Sequence, residues 1–530
     1  MNHIIKYTLA SLAVLSLTNC TDSFEDTNSN PYGITLESLT QRNNHIGTKF
    51  APMFANVIRV EPAWNYQLQQ NLNADVFSGY MTAPTPFAGN INNQTYSLVN
   101  GWNGFIWIDA YDSNSGNGVM PHAKDINDIV AASGDTSGEK FVHLANIIKV
   151  MAMHRVSDVF GPIRYSKFNE FATSGEYDSQ ETAYKAFFTD LDAAISGLES
   201  EVGSSQFVDF DQSSFQGDIA KWRMFANSLR LRLAIRVSKV DPALAKTEGE
   251  KALASNAGLL ASEDMEVDMG GFVHPIETIS NVWGDICMSS EMESILKGFN
   301  DGRIEKYFSA PEDPSLGDYK GIRMGIEIEA KSQYGSHSKI GEVIQGTSKV
   351  WMTSAEVHFL KAEAALRGWA GAGDAKTNYE NGVRASFEQH GVGGVDNYLA
   401  DNTSTPADFV DALNAANDYS YPSTVTIAYN EAGSLEEQLE QIITQKWIAM
   451  FPDGQEAWSE YRRTGYPQVF PVVVNNSGGT IDTDIQIRRI NFVDSEKNTN
   501  GANVDIATSY LKGPDNGGTR LWWDTGNSNF

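Results

Sequence analysis

Residues 221–240 read KWRMFANSLRLRLAIRVSKV, and this stretch decides the fold. Apolar side chains recur at spacings of four and three, which places them on one face of a helix: Trp222, Ala226, Leu229, Leu233, Val237 and Val240. Much of the remaining surface is arginine, namely Arg223, Arg230, Arg232 and Arg236. Because the chain has a net charge of -28, we expect these guanidinium groups to pair with carboxylates and not with a polyanionic ligand.

Further helical periodicities come in pairs. Residues 139–157 and 181–198 flank the loop 158–165, and residues 353–369 and 375–389 flank a turn with Gly371 and Gly373. Small alanines alternate with large rings over roughly thirty-five residues per pair, which resembles tetratricopeptide repeats. We therefore predict a mainly α protein with a tetratricopeptide-like scaffold and minor β-structure, an ordinary helical bundle being the alternative. The predicted hairpins lie near 139–198, 221–256, 353–390 and 435–463.

The N-terminus has the pattern of an export signal. Lys6 precedes an apolar run at 7–17 that is too short to span a bilayer, and the run ends at Leu17-Thr18-Asn19-Cys20. A Leu three positions before a Cys resembles the lipobox of bacterial lipoproteins, although Asn19 departs from the usual small residue, and an ordinary cleaved signal peptide is the alternative. Acidic residues follow, as in surface-export tags. We predict a signal peptide at 1–19, lipidation of Cys20, a tether at 20–35 and a single body at 36–530.

Composition excludes several classes of partner. A net charge of -28 argues against binding nucleic acid, anionic lipid or polyanionic glycan, so neutral or basic ligands fit better. No stretch after the signal is apolar enough for a transmembrane helix. Cys287 is the only cysteine besides Cys20, and nothing near it in sequence supports a nucleophile, so we expect a small buried residue.

Long polar segments interrupt the helical pattern near 80–102, 270–345 and 392–429, and loops of this length are usually functional. Aromatic rings in polar loops favour carbohydrate binding, since the C–H face of a pyranose stacks on a flat ring while polar groups bind its hydroxyls. Each ring could instead be core packing, as we expect for Trp102 and Trp107. The predicted ligand-binding residues are Phe87, Asn90, Tyr96, Trp283, Tyr319 and Tyr334.

No catalytic or metal motif stands out. Asp264, Glu266 and Asp268 alternate as residues on one face of a strand do, and we expect a solvated face there and also for Glu291 with Glu293. The segment 112–118 begins like a calcium loop, but its Gly falls one place early and position twelve is not acidic. The nine histidines are scattered. We expect no catalytic residue and no cofactor, with an incidental calcium ion left open.

Several blocks together resemble the SusD/RagB-type nutrient-binding outer-membrane lipoproteins of Bacteroidetes. They are NPYG at 30–33, SDVFGPIRY at 157–165, WRMFANSLRLRLAIR at 222–236, DGRIEKYF at 301–308, WMTSAEVHFLKAEAALRGW at 351–369, and QKWIAMF at 445–451 with EAWSEYRR at 456–463. No single block is diagnostic, but six in this order behind a lipobox are.

The resemblance implies four tetratricopeptide-like hairpins that support an irregular ligand-binding half. It also implies a surface-exposed lid that captures oligosaccharide and passes it to a TonB-dependent SusC-like transporter. Ligand loops differ between members of the family, so no ligand residue is carried over. A peptide-binding relative of the same lid type and a surface glycoside hydrolase are the alternatives.

Overall fold

The computed structural model describes residues 40–112, 118–169, 175–342, 346 and 348–530. Contacts divide the chain into two units, Met1–Thr48 and Lys49–Phe530. In the first unit, the described residues contain a 3-10 turn at Gln41–Asn43 and a helical turn at Asn44–Gly47. The predicted signal peptide, Cys20 and the tether lie outside the described residues.

The second unit is mainly helical, as predicted, and its described part contains two short antiparallel strand pairs. The strands are β1 (Met81–Thr82), β2 (Met265–Asp268), β3 (Cys287–Met288) and β4 (Ser348–Met352), paired β1 with β3 and β2 with β4. The helices are α1 (Phe50–Val57), α2 (Ala63–Tyr66, continued by a π-helix at Gln67–Asp75), α3 (Asn100–Asn103), α4 (Phe105–Tyr111), α5 (Val119–Ser133), α6 (Glu139–Phe160), α7 (Gln180–Gly197), α8 (Ile219–Arg236), α9 (Pro242–Ala254), α10 (Pro275–Glu277, continued by a π-turn at Thr278–Val282), α11 (Ser290–Gly298), α12 (Ile304–Tyr307), α13 (Lys331–Tyr334), α14 (Ser354–Leu366), α15 (Ala375–Gln389), α16 (Val395–Leu399), α17 (Leu435–Ala449), α18 (Gly454–Thr464), α19 (Asp494–Thr499) and α20 (Gly501–Ser509).

Three of the predicted pairs pack as expected: α6 with α7, α8 with α9, and α14 with α15. Five of these six helices, all except α6, begin at a short polar side chain that accepts a backbone N–H of the first turn, as Asp218 does for α8 and Thr353 for α14. The helices predicted near 435–463 exist, but α17 packs mainly on α14 and α15, whereas α18 packs mainly on the π-helix. The tertiary structure therefore separates the two members of the fourth pair.

From Phe225 to its end, helix α8 is buried on all sides and not only on the single face that its periodicity predicts. Arg230, Arg232 and Arg236 are each at most 2% exposed. The predicted pairing with carboxylates is confirmed, because Arg232 forms two hydrogen bonds with Glu356, at 2.7 and 2.6 Å, and Arg230 pairs with Glu248 at 2.6 Å. A buried charge costs little only when it is paired, so these partners allow an arginine-rich helix to lie in the core.

A larger set of buried charges joins α8 to the C-terminal helices, and we call it the charge core. Arg236 pairs with both Glu456 and Glu460 of α18, and Lys446 of α17 lies 3.3 Å from Glu460. Arg463 forms a double hydrogen bond, 2.7 Å each, with Glu363 of α14. The charge core comprises Asp158, Arg232, Arg236, Glu356, Glu363, Lys446, Glu456, Glu460 and Arg463.

The π-helix approaches the start of α18 at a glycine. A Cβ added to Gly454 would lie 2.5 Å from Asp75 Cα and 2.2 Å from Asp75 Oδ1. Because the backbone of Asp75 cannot move away cheaply, we expect Gly454→Ala to lower the free energy of unfolding by about 1–3 kcal/mol. Urea unfolding measures this change. Gly101→Ala in α3 is the matched control, since a Cβ there meets nothing within 4 Å and stability should not fall. Equal stability of the two variants would contradict the close approach.

Candidate functional site

Five aromatic rings from separate segments lie at the surface and together form what we call the aromatic face. They are Trp64, Phe87, Trp102, Phe105 and Trp283. Trp64 is 47% exposed and Trp283 is 38% exposed, which is unusual for so large an apolar side chain, while the other three rings are half-buried. The face thus presents flat apolar surface to solvent.

Edge-on ring contacts join four of the five rings in two pairs, and Trp283 is linked to them through Asp285. The rings of Trp64 and Phe105 meet at a centroid distance of 5.3 Å, and those of Phe87 and Trp102 meet at 5.7 Å, both near perpendicular. Because Trp102 in α3 stands three residues before Phe105 in α4, the short helices join the two pairs. Such edge-to-face pairs hold rings in place while leaving their outer faces free for a ligand.

Asp285 is the polar anchor of the face. Its carboxylate accepts hydrogen bonds from Thr85 Oγ1 at 2.8 Å, Gln67 Nε2 at 3.3 Å and Lys331 Nζ at 2.8 Å. Lys331 also donates to the carbonyl of Trp283 at 2.6 Å. Gln67 lies three residues after Trp64, and Thr85 two residues before Phe87. One carboxylate therefore ties together the segments that carry Trp64, Phe87 and Trp283.

Local backbone geometry presents Phe87 and Trp283. Gly284 has φ +66°, a conformation that favours glycine, and it turns the chain directly after Trp283. Near Phe87 the chain turns through Gly89 and Asn90, both at φ +64°. The Asn90 amide donates to the carbonyl of Ile328 at 2.9 Å, so this side chain fixes the loop of Phe87 to the segment that leads into Lys331.

The structure places two of the six predicted residues in the core, and the expectation of exposed loop rings is wrong for both. Tyr96 is 1% exposed. Tyr334 is 4% exposed, and its hydroxyl donates to Asp411 at 2.9 Å. Burial leaves neither ring a surface on which a sugar could stack.

The other four predicted ligand-binding residues lie in two parts of the structure. Phe87, Asn90 and Trp283 lie on or beside the aromatic face, and their contact with ligand stays a prediction. Tyr319 is half-buried at another place, where its carbonyl accepts from Lys297 at 3.2 Å and the next residue, Lys320, pairs with Glu293.

Sequence reasoning missed Trp64, Phe105 and the role of Trp102. Trp64 is followed by the amide-rich segment 65–73, so the rule that selected rings in polar segments could have found it. Trp102 was expected in the core, but it is half-buried on the face. Trp107 is 4% exposed, which confirms the core prediction for that residue.

The prediction that Glu291 and Glu293 lie on a solvated face is wrong. They are 1% and 7% exposed, because they lie on α11 against other elements and not along a strand. Glu291 accepts the N–H of Phe470 at 2.9 Å, and burial raises its pKa. Asp264, Glu266 and Asp268 do alternate with buried Met265 and Val267 in and before β2, as predicted.

Cys287 is a free, buried thiol, as expected, and burial raises its pKa to about 12. Within the described ranges, no group of three or more His, Cys, Asp or Glu side chains is placed to hold a metal ion. The calcium-like segment 112–118 falls mostly outside the described residues. Among the described helices, none combines the length and apolar character that crossing a bilayer requires.

The role of Asp285 can be tested separately from the rings. We expect Asp285→Ala to weaken binding by the aromatic face about tenfold, because three segments lose a shared acceptor and Lys331 loses its counter-charge. Isothermal titration calorimetry with an oligosaccharide measures the affinity of each variant. Asp396→Ala is the matched control. Asp396 is an exposed carboxylate that pairs with the exposed Arg384, so its loss should leave the affinity unchanged. An unchanged affinity for Asp285→Ala would show that the rings hold their arrangement without it.

Comparison with known proteins identifies the family. The SusD-like model, described as SusD and RagB outer membrane lipoprotein, matches residues 26–524. A chitin-binding SusD homolog from Flavobacterium johnsoniae is 48% identical, with a TM-score of 0.88, and the match covers 92% of this chain and 100% of that one. SusD homologs from Bacteroides vulgatus and Bacteroides uniformis are 38% and 34% identical, with TM-scores of 0.83 and 0.82, covering 91% and 90% of this chain and 98% and 99% of theirs.

No curated protein matches the chain. The family model nevertheless spans most of the sequence, and the solved homologs share the helical scaffold along nearly their whole length. On this evidence the chain belongs to the SusD-like family of outer membrane lipoproteins, which are binding proteins and not enzymes.

Proposed function

We propose that this protein captures a neutral oligosaccharide on its aromatic face and delivers it to a TonB-dependent SusC-like transporter. The observation that carries the proposal is the pair of exposed tryptophans, Trp64 and Trp283, whose segments are both tied to Asp285. Flat rings beside hydrogen-bonding groups suit a pyranose, which has apolar C–H faces and polar hydroxyl edges. The net charge of -28 supports a neutral ligand over an anionic one.

Within neutral oligosaccharides, we propose chitin-type chains of N-acetylglucosamine as the ligand class. The support is the 48% identity with a chitin-binding homolog over 92% of this chain. The physical fit is that an acetamido group offers a methyl for ring contact together with an amide for hydrogen bonding. More than one surface ring offers contacts to more than one sugar unit.

The lipid on Cys20 would hold the protein in the outer membrane, facing outward, beside the transporter. Several acyl chains on one cysteine make such an anchor effectively permanent. Binding and delivery then need no covalent chemistry: the rings hold the sugar by stacking, and movement of the whole lid releases it toward the pore. Cys20→Ala should move the protein from the membrane fraction to the soluble fraction without changing its affinity for sugar.

Affinity electrophoresis with a panel of neutral polysaccharides, followed by calorimetry with chitin oligosaccharides, tests the ligand. We expect retardation by glycol chitin and no release of reducing ends. Retardation by another neutral glycan would refute the chitin class and keep capture of oligosaccharide. Binding of basic or neutral peptides with no response to any glycan would instead favour a peptide-capturing protein of the same lid type.

A further inference from the structure

A cleft separate from the aromatic face enters the protein beside β4. Its mouth is formed by half-buried or exposed residues, namely Glu266, Ser348, Val350 and Gln389. Its floor is formed by buried residues of the scaffold, including Gln70 of the π-helix, Arg155 of α6 and Trp351 of β4. The cleft volume is about 200 Å³.

The segment that forms α2 and the π-helix separates the cleft from the aromatic face. Trp64 is 47% exposed, and Gln67 donates to Asp285, so both belong to the face. Tyr66 and Gln70, four residues apart and both 3% exposed, line the cleft. Helical spacing therefore directs alternate positions of one segment toward two different surfaces.

Two buried donors that line the cleft have no hydrogen-bond partner among the described residues. Trp351 is 1% exposed and its Nε1 is unpartnered, and Arg155 is 4% exposed with an unpartnered Nε. The other Arg155 nitrogens are occupied by Asp453, at 3.0 and 2.8 Å, and by Gln70 at 3.3 Å. Leaving a buried donor unpaired is costly, so an acceptor oxygen bound beside either residue would be favoured.

Most charged groups around the cleft have a partner within the protein. Asp453 neutralises Arg155, and Arg232 neutralises Glu356. The Lys349 ammonium donates to three backbone carbonyls at the end of α1, at 2.6 to 3.4 Å. Burial lowers the pKa of His274 to about 3 and that of His390 to about 4, so both are neutral at physiological pH. Glu266 at the mouth has no ion-pair partner among the described residues and accepts a hydrogen bond from Ser348 Oγ at 2.8 Å. The cleft therefore disfavours an anionic ligand and suits a neutral one whose hydroxyls can donate to this carboxylate.

The cleft walls also carry apolar surface from Ile58, Met450 and Phe451. A volume of about 200 Å³ is below the roughly 300–1,000 Å³ that is usual for drug-sized ligands. From the unpaired donors, the Glu266 acceptor at the mouth, the apolar wall and this size, we infer that the cleft is a second binding site for one neutral sugar unit. This site is independent of oligosaccharide capture on the aromatic face.

Calorimetry and ligand-observed NMR with N-acetylglucosamine and glucose, each at up to about 10 mM, test the second site. Three proteins are compared: the full chain, the Trp64→Ala/Trp283→Ala variant, which removes the exposed rings of the face, and Val350→Trp, which fills the mouth of the cleft. We expect saturable binding of at least one sugar in the first two proteins. Val350→Trp should weaken it at least about tenfold.

Val202→Trp is the matched control for Val350→Trp, because Val202 is 48% exposed and does not line the cleft. If Val350→Trp lowers the melting temperature, Gln389→Trp closes the same mouth from the end of α15, where the side chain is exposed. No saturable binding of either sugar to the full chain would overturn the inference. The inference would also be overturned if both mouth variants bound the sugar as tightly as the full chain. It would be overturned as well if binding were lost only in the variant without Trp64 and Trp283.

The two proposals can fail separately. If the full chain is not retarded by any polysaccharide, capture by the aromatic face is refuted. Binding of a single sugar in the cleft can still be measured. Retention of polysaccharide binding with no response to a single sugar refutes the cleft alone.

Discussion

Arg236→Met is expected to lower the free energy of unfolding by about 3–5 kcal/mol, which is the cost of leaving a buried ion network without one of its charges. Arg236 is 0% exposed and pairs with Glu456 and Glu460, with Asp158 at 3.4 Å. Methionine fills similar space but leaves these carboxylates short of a counter-charge in a low-dielectric interior. Urea unfolding at neutral pH measures the change.

The pH dependence of this loss follows from the carboxylates. Burial acts to raise the pKa of Glu456, but attraction to Arg236, Arg232 and Lys446 outweighs burial and lowers that pKa to about 2. A folded-state pKa below the unfolded value of about 4.3 means that the stabilisation is present above pH 4.3 and is lost as the pH falls toward 2. Removing Arg236 raises the pKa of Glu456, so the gap between the two proteins should narrow below about pH 4.

Arg384→Met is the matched control, because Arg384 pairs with Asp396 at the surface, where the two side chains are 42% and 82% exposed. Exposed pairs contribute little, so the stability of this variant should match that of the parent protein at every pH. A loss for Arg236→Met no larger than the loss for Arg384→Met, or a gap that does not change with pH, would contradict the charge core as a determinant of stability.

The double variant Trp64→Ala/Trp283→Ala is expected to weaken oligosaccharide binding at least about 100-fold, because exposed tryptophans at the centre of a binding surface each contribute about 2 kcal/mol or more. The melting temperature should change by only a few degrees, since both rings are substantially exposed and their loss leaves no deep cavity. Calorimetry with the oligosaccharide that the panel selects measures the affinity, and thermal unfolding measures the stability.

Tyr510→Ala provides the control for removing an exposed ring, because Tyr510 is 47% exposed, follows α20 and is not one of the five rings of the face. Its affinity should equal that of the full chain. If the double variant binds as tightly as the control, the aromatic face is not the ligand site. If it unfolds at a much lower temperature, the rings are structural and the loss of binding carries no information on stacking.

Side-chain periodicity was sufficient to predict helices because it is a local property. Residues 375–389 were predicted as a helix and form α15 with the same bounds, and the prediction for 221–240 differs from α8 by a few residues at each end. Periodicity could not show that α8 is buried on all sides. That result depends on Glu356, Glu456 and Glu460, which lie more than 100 residues away in sequence and reach the arginines only in the folded chain.

Loop composition predicted part of the candidate site for a similar reason. Phe87 and Trp283 lie in polar segments and are at the surface, but Tyr96 and Tyr334 lie in equally polar segments and are buried. The two outcomes involve partners that are distant in sequence, such as Asp411 for Tyr334 and Asp285 for the segment of Phe87. Nothing in the neighbouring residues of a single ring records those partners.

The sequence by itself therefore determined the helical class and the family, because periodicity and motif order can be read along the chain without the fold. Its charge and aromatic content also supported the proposed class of ligand. The tertiary structure alone decided which rings share a surface, which carboxylates are buried and where the cleft lies. These depend on segments far apart in the chain, whose contacts form only when burial of the whole core compensates the conformational entropy lost on folding.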